Sequence, residues 1–273
     1  MHPQGGRGGG PPSRKAALVI GGSSGMGKAM ARVLVQEGYA LTVCGRDRAR
    51  LDTAVAELQG EAAAADPAVQ GVAADVAGEQ AIVDLLDAHR RAYGRLDVLV
   101  NSAGGGGGAG GGPIGDLTTE AWDRTVALNL RSAFLAIHHA LELLRTAGAE
   151  HGKALVVNVG SAAGKEGTPG MYPYSAAKAG LRTLTEAAQA ENRHAGVQFT
   201  TFVPGFTATP MATWAVGMGI GVDEMVAPDD LGEGLRFLLR TSPSCHVREI
   251  EFMPPDQPSI LTRVRAARES RSR

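Results

Sequence analysis

Short apolar runs recur along the chain, and each of the first six is followed by a stretch with helical spacing. The runs are Ala16 to Ile20, Ala40 to Cys44, Ala68 to Ala73, Leu96 to Val100, Ala154 to Val159, Val197 to Val203 and Val247 to Met253. Several of them are apolar at nearly every position rather than at every second one. That is the pattern of strands buried on both faces, as in a parallel sheet. The segments between them place apolar residues on one helical face: Met30, Val33 and Leu34 up to Gly38, then Leu51 to Leu58, Ala81 to Tyr93, Trp122 to Leu144, Tyr174 to Ala195 and Leu231 to Leu239. The alternation predicts an α/β fold, a Rossmann-like doubly wound, seven-stranded parallel sheet with helices on both faces. It does not break between residues 15 and 255, so one domain is expected there. Residues 1–14 form a Gly/Pro-rich leader expected to be disordered, and 256–273 a basic tail.

In such sheets ligands bind beyond the carboxyl ends of the strands. Gly21 to Gly27, Arg46, Asp75, Asn101, Ser161 and Pro204 all fall just past a predicted strand end. The first of these, Gly21-Gly22-Ser23-Ser24-Gly25-Met26-Gly27, lies between a strand and a helix. Glycines there let the backbone turn tightly and approach a pyrophosphate, and the helix N-terminus offers free N–H groups to the anion. An ordinary glycine turn is the competing reading. Arg46 lies nineteen positions after Gly27, where an arginine suits the 2′-phosphate of NADP(H) and an acid would suit NAD(H). This favours NADP(H) over NAD(H), although Arg46 could equally be a surface arginine. The neighbouring Asp47 has a structural use as the cap of the next helix.

Further on, Tyr174 and Lys178 are four residues apart and share one helical face. An ammonium beside a phenol favours the phenolate and can bring a tyrosine into the working range of a general acid–base. The Y-x-x-x-K pattern occurs by chance in many helices, so its weight comes from the phosphate-loop signature upstream and from Ser161, thirteen residues before the tyrosine.

Composition narrows the classes. The net charge of −1 leaves no electrostatic footprint for nucleic acid. The two cysteines, Cys44 and Cys245, have no metal-ligand spacing and are expected to be buried small apolar residues, which fits a reducing cytoplasm. No metal site is expected. No apolar run approaches the roughly 18 residues of a membrane span, and the leader has no apolar core of a secretory signal. His138 and His139 are expected to be packing or interface residues. From Gly104 to Gly112 only Ala109 is not glycine, which predicts a mobile segment. The tail from Leu261 carries five arginines and one glutamate; a solvated helix or a contact segment for an anionic partner would both account for it.

Taken in order, these motifs resemble the short-chain dehydrogenase/reductase family, single-domain branch, over about Ala16 to Met253. The family's T-G-x-x-x-G-x-G is similar to Ile20 through Gly27, its N-N-A-G to Asn101-Ser102-Ala103-Gly104, and its P-G-x-x-x-T to Pro204 through Thr209. The resemblance implies Asn129, Ser161, Tyr174 and Lys178 as catalytic residues. Tyr174 would be the general acid–base, Ser161 the hydrogen-bond donor to the carbonyl, Lys178 the group that lowers the tyrosine pKa and binds the ribose, and Asn129 the holder of a relay water. It implies cofactor contacts from Gly21, Ser23, Ser24, Gly25, Met26, Gly27, Arg46, Asp75, Val76, Asn101, Ala103, Gly104, Tyr174, Lys178, Pro204, Gly205, Thr207 and Thr209. The expected activity is hydride transfer between NADPH and a ketone or secondary alcohol. A cofactor-binding regulator without turnover is the alternative. The substrate is expected to be apolar or bulky, held by Tyr172, Phe206, Met211, Trp214 and Met218, although a lid whose apolar residues simply pack on the protein is an equal reading of that segment. A homo-oligomer, dimer or tetramer, is expected. Four departures stand out: Ile20 replaces the family's Thr, Ser102 its second Asn, Thr207 its usual Val or Ile, and Ile250-Glu251-Phe252-Met253 its C-terminal V-D-G-G.

Overall fold

The computed structural model describes residues 14–62, 68–105, 113–167, 170–217, 219–256, 258 and 262. The leader before residue 14, residues 106–112 of the glycine tract, Met218 and nearly all of the basic tail lie outside the described residues, as does the side chain of Trp214.

Seven strands form one sheet: β1 (Ala16–Ile20), β2 (Ala40–Gly45), β3 (Val69–Ala73), β4 (Val98–Asn101), β5 (Ala154–Val159), β6 (Val197–Pro204) and β7 (Glu249–Phe252). Their order is β3-β2-β1-β4-β5-β6-β7 and every pairing is parallel. Successive residues of the central strands enter opposite cores. Ala17 and Val19 pack with α1 (Gly25–Gln36), α2 (Arg48–Gly60) and α8 (Pro228–Arg240) on one face. Leu18 and Ile20 pack with α3 (Glu79–Tyr93) and α5 (Ser132–His151) on the other. This double burial is why the runs carry no polar alternation. The strand order reverses direction at β1, between β2 and β4. The crevice that such a reversal opens lies at the carboxyl ends of β1 and β4.

Several boundaries differ from the sequence expectation, and three of them shape the site or the sheet edge. The long helix predicted over Trp122 to Leu144 is two helices, α4 (Thr119–Val126) and α5, joined by a π-helical turn at Ala127–Arg131. Asn129 sits in that turn, and its side-chain amide donates to Thr125 O at 2.9 Å. A side chain that takes a backbone acceptor one turn back competes with the helical ladder, and the chain widens there. The helix α6 (Tyr172–Asn192) begins two residues before Tyr174, with Pro173 in its first turn, where a missing N–H costs nothing. β7 is shorter than the run Val247 to Met253, because only Glu249–Phe252 finds a ladder partner, on Thr201–Pro204. The α-helix of the lid segment, α7 (Thr213–Val216), is a single turn.

A polar cluster stands inside the α3 side of the sheet. His89 is fully buried, with Nδ1 2.8 Å from Thr42 Oγ1 and Nε2 2.8 Å from Arg95 O. Burial pushes its imidazole down to about 4, against hydrogen bonding to Arg95 O and the charge of Asp97, which act the other way. The folded protein therefore holds His89 neutral, while the unfolded chain takes up a proton near the ordinary 6.5. This contribution to stability is complete above pH 6.5 and is lost as the pH falls through about 4. The loss is on the order of 3 kcal/mol. Chemical denaturation at a series of pH values should show this decline in the wild type and a flatter one in His89→Gln.

Candidate active site

The loop after β1 can be built only from glycine at two points. Gly21 has φ +81°, and a Cβ on it would lie 2.6 Å from Ala103 N. A Cβ on Gly27 would lie 2.1 Å from Gly21 O, inside the backbone of the same loop. The turn is therefore closed on itself and on the β4 exit at Ser102-Ala103. Gly21 and Gly22 donate to Cys44 O at 3.0 Å each, which ties the loop to the end of β2. Ser24 precedes α1 with no side-chain cap bond, and Met26 and Gly27 lie in the first turn. Ser23 stands against Gly45, where a Cβ would meet Ser23 Oγ at 2.6 Å. Arg46 follows β2, exposed, and no carboxylate pairs with it among the described residues. Asp47 caps α2 by accepting from Arg50 N at 2.9 Å, so its carboxylate is spent on the helix. Asp75 and Val76 follow β3; Asp75 accepts from Ala77 N at 3.3 Å and Val76 is buried. Cys44 is buried, with its thiol pushed up to about 12 by desolvation, whereas Cys245 is exposed, contrary to expectation. The expected buried role fails for Cys245 because it lies in the polar turn before β7.

Lys178 and Tyr174 lie together on the inner face of α6. Lys178 is 4% exposed, and its Nζ donates to Val159 O at 2.7 Å. The same Nζ is 5.6 Å from the centroid of the Tyr174 ring. Desolvation pushes the ammonium down to about 8. Burial pushes the Tyr174 phenol up from its ordinary value, and the opposing pull comes from a hydrogen bond with Ser161. The ammonium faces a strand carbonyl and the ring, and the phenol has Ser161 as its hydrogen-bond partner. Ser161 follows β5 and opens the short turn Ala162–Gly164, where its Oγ also accepts from Ala163 N at 3.2 Å.

Asn129 is buried and engaged with the backbone. Its amide donates to Gly105 O at 2.7 Å and to Thr125 O, and its Oδ1 accepts from Gly105 N at 3.0 Å. It therefore anchors the first residues of the glycine tract. A Cβ on Gly104 would meet Asn129 Oδ1 at 2.9 Å and Lys178 Nζ at 3.2 Å, so Gly104 is the contact surface between these two side chains.

Sequence reasoning missed a polar line beneath the site. Asn101 Nδ2 donates to Asn158 Oδ1 at 2.8 Å, Asn158 Nδ2 to Thr185 Oγ1 at 2.9 Å, and Thr185 Oγ1 to Leu181 O at 2.7 Å. Each bond sets the direction of the next, so the Asn101 amide is oriented and its buried Oδ1 is left without a protein partner. Ile20, the register neighbour of Asn101 on β1, has no hydroxyl to offer it. The signal was Asn158 itself, a polar residue inside an otherwise apolar strand.

The residues expected around the substrate are only partly gathered. Phe206 packs beside a small core of Ala215, Ile220 and Met225, so part of the lid's apolar character is spent on its own packing. Pro204 ends β6, Gly205 N donates to Phe252 O at 2.8 Å, and Thr207 pairs with Val226 in a short bridge. Thr209 reaches back to the phosphate loop: a Cβ on Gly25 (φ +52°) would touch its Cγ2 at 3.0 Å. Met211 is half-exposed and lies over Gly105, where a Cβ would meet its Cε at 3.3 Å. An open groove of about 490 Å³ lies beside the Ser161 turn, lined by Lys165, Glu166, Tyr172, Ser175 and Ala179 among others. Tyr172 lines it; Phe206 and Met211 do not. Among the described residues no cluster suited to a metal ion occurs, and no helix is long and apolar enough to cross a membrane.

The comparisons agree with this geometry. A protein from Streptomyces violaceoruber named "Granaticin polyketide synthase putative ketoacyl reductase 1" is 36% identical over 203 residues, 74% of this chain and 71% of that one. The solved structure of a variant actinorhodin polyketide ketoreductase with NADPH superposes with a TM-score of 0.77 at 28% identity, over 88% of this chain and 96% of that one. A metagenomic short-chain oxidoreductase solved with NADP gives 0.74 at 27% identity, with the same coverage. The family described as short chain dehydrogenase matches residues 15–216, and the chain belongs to it: this is an oxidoreductase of the short-chain dehydrogenase family.

Proposed function

We propose that the protein is an NADP(H)-dependent ketone reductase, with the alcohol dehydrogenase reaction as its reverse, and that Tyr174 is its general acid–base. The observation that carries this reading is the convergence of Ser161, Tyr174 and Lys178 at the end of β5, beside a glycine loop shaped for a dinucleotide. The fit to the cofactor rests on the chain itself. Gly21 and Gly27 leave no room for a side chain and so permit the tight turn, the first turn of α1 is open to an anion, and Arg46 has no carboxylate partner among the described residues where a 2′-phosphate would lie. When bound, NADPH supplies the hydride.

The protein's own residues do the rest. Tyr174 delivers a proton to the developing alkoxide, or removes it in the oxidative direction. Ser161 donates to the carbonyl oxygen and strengthens that bond as negative charge grows there. In this structure the Ser161 hydroxyl already pulls the phenol's pKa down, which pairs the two groups that must address one oxygen. Lys178 keeps a positive charge buried next to the phenol at neutral pH, since its ammonium loses its proton only near 8. That charge favours tyrosinate once the proton has gone. Asn129 holds Gly105 and, through Gly104, the surface against Lys178; a proton relay from Lys178 toward solvent would pass here. Met211 and Phe206 offer an apolar edge for a bulky ketone, and the names of the two polyketide-reductase relatives are consistent with a keto group on a large acyl chain.

Two outcomes test the reading. Tyr174→Phe should lower kcat for NADPH-driven reduction of a ketone panel by about 10²–10⁴-fold while NADPH affinity holds. Equal activity in the variant would overturn the mechanism. Arg46→Asp should weaken NADPH binding, followed by nicotinamide fluorescence, by about tenfold or more, because hydrogen bonds to charged groups are worth about 1.5–3 kcal/mol. NADH binding should change little, and an equal loss of both would remove the 2′-phosphate role.

A further inference from the structure

Lys165 joins the active-site turn to the edge of the sheet. Its ammonium pairs with Glu249 at 2.5 Å and with Glu251 as well. Both carboxylates stand on one face of β7, while Ile250 and Phe252 pack against the core on the other. Alternate positions of a strand point to opposite faces, so this four-residue edge strand is apolar on the α8 side and anionic on the α6 side. Arg182 of α6 meets the same face, 3.6 Å from Glu249, and also pairs with Glu186, which Arg248 approaches at 3.8 Å.

What Lys165 holds is the turn that begins at Ser161. Gly164 N donates to Ser161 O and Lys165 N to Ala162 O, both at 2.9 Å, so residues 161 to 165 form one hydrogen-bonded turn. The near end is tied to the sheet by Gly160 N on Phe202 O at 2.7 Å. The middle lies on α6, where a Cβ on Gly164 would meet Lys178 C at 2.8 Å. The far end, at Lys165, lies seven residues before α6, and its tie to the sheet is the pair of carboxylates on β7.

We propose that Lys165 is a positioning residue for Ser161: its ion pairs with Glu249 and Glu251 pin the far end of the turn and so hold the Ser161 hydroxyl on the Tyr174 phenol. The same tie sets one wall of the groove next to Tyr172 and Ser175. The cluster is partly solvated, so each pair alone is weak, and the effect comes from one ammonium shared between two fixed carboxylates. The kinetic part of this inference rests on the reductase reading above, and the structural part does not.

The test uses the full chain and three variants: Lys165→Met, Lys165→Arg, and the double Glu249→Gln/Glu251→Gln. Amide hydrogen exchange of residues 161–167, measured without cofactor, should speed up by about fivefold in Lys165→Met and in the double variant, as a lost ion-pair network allows local opening. With NADPH and ethyl acetoacetate or another ketone that the wild type reduces, kcat should fall by a similar factor while KM for NADPH stays unchanged. Lys165→Arg, which keeps the charge, should restore both. Wild-type exchange and wild-type kcat in Lys165→Met would overturn the proposal, and so would a loss confined to KM for NADPH or a failure of Lys165→Arg to restore either. If the wild type reduces no ketone, the reductase reading fails, and the exchange experiment alone decides whether Lys165 holds the turn.

Discussion

One buried ammonium carries much of the architecture around the site. Lys178 has lost nearly all its water, and no carboxylate pairs with it among the described residues; Val159 O accepts from it at 2.7 Å and the Tyr174 ring lies alongside. An ion in such surroundings is costly unless its donors are satisfied, and the cost appears as a pKa lowered to about 8. To meet that acceptor, α6 must approach the carboxyl end of β5 closely. Small residues allow it: Gly164 lies on the helix backbone at Lys178, and Gly104 fills the space between Lys178 and Asn129. The position of Tyr174 follows, because it rides one turn ahead on the same helix.

The polar groups nearby form a continuous lattice. Thr185, Asn158 and Asn101 link α6, β5 and β4 in a directed line. Asn129 links the π-helical turn to Gly105, so the helix irregularity and the anchoring of the glycine tract have one cause. Buried polar lines of this kind are stable only when nearly every member is paired. The exception is Asn101 Oδ1, next to Ile20, at the crevice where the strand order reverses. The edge of the sheet works differently. β7 is short, covered on one face and charged on the other, and those charges tie down the turn that carries Ser161.

The fold was legible because a parallel sheet buried on both faces leaves unbroken apolar runs, and each run's carboxyl end can be read off where the run stops. The placement of Arg46 and Ser161 past strand ends followed from that alone, and the pairing of Tyr174 with Lys178 from helical period. Helix interruption was not legible: Asn129 reads as an ordinary polar position until its amide is seen to take Thr125 O. Nor was the lid, since Met225 and Ile220 look as suited to a ligand as to each other, and packing chose the latter.

The amino-acid sequence by itself determined the alternation of elements, the strand ends that Arg46 and Ser161 follow, and the pairing of Tyr174 with Lys178 on one helical face. Each is a matter of local period or of residue type at a turn. Tertiary structure decided which group touches which. Ser161 bonds the phenol; Lys178 donates to a strand carbonyl and lies over the same ring; Lys165 reaches two glutamates on the last strand. Those partners are separated by 13 to 86 residues along the chain. They meet because the parallel order of the sheet brings the ends of β5, β7 and α6 together, where the buried Lys178 ammonium must find an acceptor.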